Sequence, residues 1–182
     1  TYANANNFSG KKEVALSDNP WAPEPEDTML DKWIKIRLKE TTAEIANNLD
    51  EYNIPLAART IRPFVDDLST WYIRRSRSRF VSGDTHALST LYRMLVGFSR
   101  AAAPFIPFIT ENIFRDLTGE ASVHLANYPV TEKISSDERK LLENMQLTRQ
   151  VSSLGQAVRL QAKQPIKQPL QTVQIRIEGQ NE

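Results

Sequence analysis

Apolar residues recur at helical rather than strand spacing along most of this chain. Leu30, Trp33, Ile45 and Leu49, with Arg37 and Thr41 between them, fall on one face of a helix predicted over residues 28–52, and Thr28 with Asp31 resembles a capping box at its start. Asn53-Ile54-Pro55 ends that helix and begins a second, because proline is tolerated in a first turn. The stripe Ile54, Ala58, Ile61, Val65, Leu68 and Tyr72 carries the second helix to about Val81, with a kink near Arg59 to Arg62 because Pro63 has no N–H to donate. Ser82-Gly83-Asp84 closes it and caps a third helix, in which Leu88, Leu91, Leu95, Phe98 and Ala102 share a face and which Pro104 ends. Pro107 opens a short fourth helix through Leu117, with Gly119 as its stop, and Ala121 to Pro129 reads as an extended connection. Ser135 and Glu138 form a capping box before a fifth helix of about 26 residues that ends before Pro165.

Two segments break this pattern. Residues 1–27 have no sustained period and carry Gly10, Pro20, Pro23 and Pro25, so they read as an irregular connector. Thr172 to Ile177 alternates polar and apolar, a strand pattern with too little partner sequence to form a sheet. The expected fold is therefore all-α: an antiparallel bundle of about five helices over residues 28–164, preceded by the connector. Residues 165–182 read as a linker and a stray strand at the start of a severed next domain. The absence of an initial methionine fits a piece cut from a longer chain.

Composition narrows the chemistry. None of the 182 residues is cysteine, which removes disulfides, thiolate catalysis and Cys-containing zinc sites, and His86 and His124 are isolated and read as structural or exposed. No apolar run approaches the ~18 residues needed to cross a bilayer, and no secretory leader is visible, so a cytoplasmic protein without membrane contact is expected. The net charge of +1 hides a segregation. Leu68 to Gly83 holds four arginines and no acid, Asn144 to Ile177 holds five basic residues and no acid, and Asp18 to Glu51 holds nine acids against four bases. Local field, more than total charge, steers a polyanion.

The densest candidate is Asp66 to Phe80. Trp71 and Tyr72 lie on the apolar stripe of helix two and read as core. Arg75 and Arg79 continue that stripe, as semi-buried arginines paired with a carboxylate of another helix or as ligands of a polyanion, whereas Arg77 points the opposite way and Arg74 to one side. On helix five, with Leu147, Val151, Leu154 and Val158 taken as the buried stripe, Arg149, Ser152, Gln156, Arg159 and Lys163 project from the other side. That face offers donors without acids and suits sugar-phosphate contact, with an ordinary solvated face as the rival. Catalytic constellations are poor. Adjacent Asp66 and Asp67 diverge by ~100° on a helix, no histidine lies near Ser69, Ser76 or Ser78, and Ser9-Gly10-Lys11-Lys12 lacks the rest of a phosphate loop.

From Trp71-Tyr72-Ile73-Arg74-Arg75-Ser76-Arg77 the chain resembles the isoleucyl-tRNA synthetase family, specifically the helical anticodon-binding domain that follows the catalytic core. The resemblance runs in order through Tyr2-Ala3-Asn4, Phe8, Leu30-Asp31-Lys32-Trp33-Ile34, Ala57-Ala58-Arg59, Ala103-Pro104-Phe105-Ile106-Pro107-Phe108, Glu111-Asn112-Ile113, Ser122-Val123-His124-Leu125 and Gln168-Pro169-Leu170. It implies a non-catalytic piece of a monomeric isoleucine–tRNA ligase that binds the anticodon stem-loop of the tRNA for isoleucine and joins the catalytic core of the same chain. The family's His-Ile-Gly-His and Lys-Met-Ser-Lys-Ser signatures are absent, so no cofactor is expected here. The resemblance implies ATP and magnesium for the parent enzyme and leaves room for zinc in a further C-terminal domain. Residues expected against tRNA are Arg74, Arg77, Arg79, Arg149, Arg159, Lys163 and Lys167, with Asp67, Trp71, Tyr72 and Arg75 as the structural part of the motif. Two alternatives stand beside it: the equivalent domain of a valine or methionine enzyme, and a helical protein-interaction module whose basic faces meet an acidic partner.

Overall fold

The computed structural model describes residues 19–176; the Tyr2–Asn4 and Phe8 positions of the connector and Ile177 of the expected strand lie outside them. Two units follow one another along the chain, residues 1–138 and 139–182, and the seam falls inside a helix.

Every regular element among the described residues of the first unit is helical, and local chemistry explains where each helix starts and stops. Helix α1, Met29–Asp50, begins at Thr28, whose side chain accepts from the Asp31 N–H while the Asp31 carboxylate accepts from the Thr28 N–H, completing the capping box. It ends at a tight reversal in which Tyr52 takes a positive φ of 57°. Asn53 caps α2, Ile54–Arg59, with Pro55 in its first turn. The helix breaks at Thr60 before α3, Ile61–Asp66. Pro63 cannot donate to the carbonyl of Arg59, so the kink lies where the sequence places it.

The next turn departs from expectation. Asp67–Ile73 is a π-helix, followed after Arg74 to Ser76 by α4, Arg77–Val81. Ser69 Oγ donates to the Val65 carbonyl at 2.7 Å and Thr70 Oγ1 to that of Asp66 at 2.6 Å, so two hydroxyls compete with amides for the carbonyls entering the wide turn. The buried face becomes Phe64, Leu68, Tyr72, Ser76 and Phe80, whereas Ile54 and Val65 of the predicted stripe are exposed.

Helix α5, Thr85–Ala102, capped by Asp84 accepting from the Ala87 N–H, packs against α1 and against α6, Pro107–Thr118. It is buried on nearly every side, and Phe98 stacks on Phe64 with ring centroids 5.1 Å apart. Gly119 stops α6 in the left-handed region at φ 77°. A single 3-10 turn, Val123–Leu125, brings Val123 onto Tyr92, Val96 and Phe114.

The connector from Asn19 onward lies on this core. Trp21 is buried, and Gly97 leaves room for Pro20: an added Cβ would sit 2.7 Å from the Pro20 ring and 2.9 Å from Leu38. Gly97→Ala is therefore expected to destabilise the unit by about 1–3 kcal/mol in urea unfolding, through overpacking; an unchanged midpoint would show that the connector yields at no cost.

Helix α7, Ser136–Gln161, opens with the expected capping box: Ser135 N–H donates to Glu138 and the Glu138 N–H to Ser135 Oγ. No residue of α7 is buried, so its apolar stripe is not the covered face predicted. Leu147, Val151, Leu154 and Val158 instead line a groove with Leu170, Val173 and Ile175 of the following segment, and Leu154 and Val158 remain exposed. That segment is irregular: residues 172–176 form no strand, because no second strand among the described residues supplies ladder partners. Among the described residues no helix is long and apolar enough to cross a membrane.

Candidate nucleic-acid interface

The π-helix and α4 sort the four arginines of the basic motif into three environments. Arg79 reaches back to the start of α1, where its NH1 donates to both oxygens of Asp31 at 2.9 Å, while its Nε donates to Asp84 at 2.7 Å. Tyr72 completes this cluster by donating its phenol to Asp31 at 2.7 Å. Burial pushes the Asp31 carboxyl up, but hydrogen bonds from Thr28, Tyr72 and Arg79 outweigh it and hold the group below its ordinary value. Burial, then the charge and hydrogen bond of Asp31, push the Tyr72 phenol up. Arg79 thus spends its donors on two carboxylates, the semi-buried pairing that sequence periodicity allowed for it.

Arg75 does not share that pairing. It is exposed, and its guanidinium lies 4.1 Å over the Trp71 ring. The prediction of a semi-buried ion pair fails because the wide turn delays the helical phase, and Ser76 takes the buried position that uniform 3.6-residue spacing gave to Arg75. Trp71 is accordingly half-buried rather than core, whereas Tyr72 is fully buried as expected. Asp67 is buried and accepts from Arg37 Nε at 2.8 Å, and Arg37 also pairs with Glu40.

Arg74 and Arg77 are exposed and form no ion pair among the described residues. Three acids near the motif are paired with other cations, Asp67 with Arg37 and Asp31 and Asp84 with Arg79, while Asp66 is exposed and forms no ion pair among the described residues. Arg74, Arg75 and Arg77 thus stay exposed with no ion pair among the described residues.

In the second unit the predicted basic residues are dispersed. Arg149 is half-buried. Arg159 turns toward the chain beyond the helix, donating to the carbonyls of Pro165 at 3.0 Å and Gln168 at 2.8 Å, so it secures the helix exit. Lys163 is exposed at a positive φ of 53°, just past the end of α7, and Lys167 is exposed in the turn that follows.

A third cluster escaped sequence reasoning. Lys35, almost fully buried, donates to Asp27 at 2.7 and 2.9 Å, to Glu24 at 3.0 Å and to the Ala22 carbonyl at 3.2 Å. Arg93 pairs with Glu24 at 2.8 Å and the His86 ring meets Asp27 at 3.0 Å. Glu24, Asp27 and His86 bring ligand atoms within 4.8 Å of one another, but the Lys35 ammonium supplies the positive charge there, and the cluster serves to latch the connector onto α1 and α5.

The family described as the anticodon-binding domain of tRNA ligase matches residues 31–175. Isoleucine–tRNA ligase of Clostridium acetobutylicum is 41% identical over 158 residues, covering 81% of this chain and 15% of the relative. That of Porphyromonas gingivalis is 38% identical over 181 residues, covering 96% of this chain and 15% of the relative. Isoleucine–tRNA ligase 2 of Bacillus cereus is 43% identical over 148 residues, covering 79% and 14%. The chain spans about 15% of the length of the curated relatives it matches.

Proposed function

Because the chain belongs to the anticodon-binding domain family of tRNA ligases, we propose that it is the part of an isoleucine–tRNA ligase that grips the anticodon stem-loop and orients the tRNA for a catalytic core elsewhere in the parent protein. The observation that carries the reading is the exposed Arg74 and Arg77 pair, left without carboxylate partners while Asp31, Asp67 and Asp84 are paired with other cations. Guanidinium groups so placed meet backbone phosphates, which position a duplex stem without reading its sequence. Exposed Lys163 and Lys167, with Arg149, supply further phosphate contacts in the second unit. Arg79 acts indirectly, by holding α4 against the start of α1. The wider reading makes the parent a cytoplasmic monomer that uses ATP and magnesium to activate isoleucine, with that chemistry, and any zinc, in segments beyond this chain. The names of the relatives support isoleucine over valine or methionine.

Two substitutions test this reading. Arg77→Ala is expected to weaken binding to an anticodon stem-loop, to flatten the plot of log affinity against log salt by roughly 0.7 to 1, and to leave stability within about 0.5 kcal/mol. Arg79→Ala is expected to cost about 2–3 kcal/mol of stability, since Asp31 loses a charged hydrogen-bond donor, with binding lost only as the fold is lost. Absence of RNA binding by the wild-type chain at low salt would sink the proposal and favour a protein-interaction module.

A further inference from the structure

We propose that Trp71 and Arg75 form a stacking platform for one unstacked nucleobase of the bound RNA, an inference that rests on the RNA-binding reading above and adds to it a contact with a base. The central carbon of the exposed Arg75 guanidinium lies over the indole ring, 4.1 Å from its centroid, and the half-buried Trp71 in the last turn of the π-helix anchors it. A free arginine would have to give up rotamer freedom when a base stacked on it; here the indole already holds the guanidinium over its face. Unpaired RNA bases stack on aromatic rings and on arginine planes, and every base offers a π face for this.

The neighbours of the platform fit a nucleotide better than a protein side chain. Arg74 and Arg77 flank Arg75 in the chain and are exposed, so a base on the platform would carry its own phosphates into positive surface. Arg75 forms no ion pair among the described residues, and the nearby Asp67 and Asp84 are held by Arg37 and Arg79. The stack also has no burial role comparable with that of its neighbours, since Tyr72 and Phe80 fill the core beneath this turn and meet edge to face at 6.2 Å.

The test is a cycle between protein and RNA. Anticodon stem-loops, each made abasic at a different loop position, are titrated into the wild-type chain and into Arg75→Ala, Arg75→Lys and Trp71→Phe, each checked for a native melting curve. One abasic position is expected to weaken wild-type binding about tenfold. The same lesion should cost Arg75→Ala and Arg75→Lys less than about twofold, because the plane on which the base stacked is gone. Arg75→Lys should keep the wild-type salt slope, and Trp71→Phe, which keeps a ring under the guanidinium, should keep most of the tenfold dependence. Equal losses in wild type and both Arg75 variants at every position would overturn the platform while leaving phosphate binding intact. A wild-type chain that binds none of these RNAs would instead remove the RNA-binding reading, and the platform with it.

Discussion

Replacing Asp31 with alanine is expected to lower the unfolding free energy by about 3–5 kcal/mol, the range for removing one partner from a buried charge cluster. Asp31 is fully buried and accepts from Tyr72, Arg79 and Thr28 at once, so its loss takes the carboxylate acceptor from a buried phenol and leaves the half-buried Arg79 guanidinium with Asp84 alone. The same residue gives the first unit an acid-sensitive joint. Its carboxyl is held below its ordinary value of 3.8, so the stabilisation is complete at neutral pH, fades as the pH falls below that value and is gone once the pH has passed through the lower folded-state value. Asp84 and Glu138 are shifted in the same direction by their hydrogen bonds to backbone amides and to Arg79 and Lys39, despite burial, and add to the loss in that window. Chemical denaturation of wild type and Asp31→Asn between pH 2 and pH 7, a range taken from ordinary carboxylate titration, checks this: the gap between them should narrow toward the acid end. A gap independent of pH would mean that the Asp31 charge contributes nothing.

Lys35→Ala is expected to be comparably severe, about 3–5 kcal/mol, for the opposite reason: it strands anions instead of donors. The Asp27 side chain is wholly buried and would keep only His86 and the Glu24 amide as partners. Relief should come through the connector, with residues 19–27 leaving the bundle and the buried Trp21 becoming solvated, which shifts its fluorescence to longer wavelength. Adding Asp27→Asn should restore part of the lost stability, since the stranded charge is then gone. No recovery in the double variant would assign the cost to the packing of the lysine stem alone.

Both effects depend on pairs that no local pattern announces. Lys35 and Asp27 are eight residues apart, and Arg93, which pairs with the Glu24 that Lys35 also binds, lies on another helix; Asp31 meets Tyr72 and Arg79 across separations of 41 and 48 residues. The sequence marked Asp31 as a cap of α1, which it is, but its second role needed α4 to return alongside. Arg75 shows a different limit. Its predicted burial followed from a uniform helical advance, and the two hydroxyl-to-carbonyl bonds of Ser69 and Thr70 at the entry to the wide turn are among the interactions that change that advance. Leu147, Val151, Leu154 and Val158 do share a face, as their spacing requires, yet periodicity says which residues align and not what covers them.

By itself the sequence determined where helices begin and end, because caps at Thr28, Asp84 and Ser135, the break caused by Pro63 and the stop at Gly119 act within a few residues. It also determined that a dense run of arginines would lie near the middle of the chain, and which family that run resembles. Only the tertiary structure decided which of those arginines is left for a partner. Helical phase accumulates small local deviations over many turns, and a charge is neutralised by whatever packing brings beside it: Arg79 is consumed by Asp31 and Asp84, Arg75 is turned outward onto Trp71, and Arg74 and Arg77 remain on open positive surface.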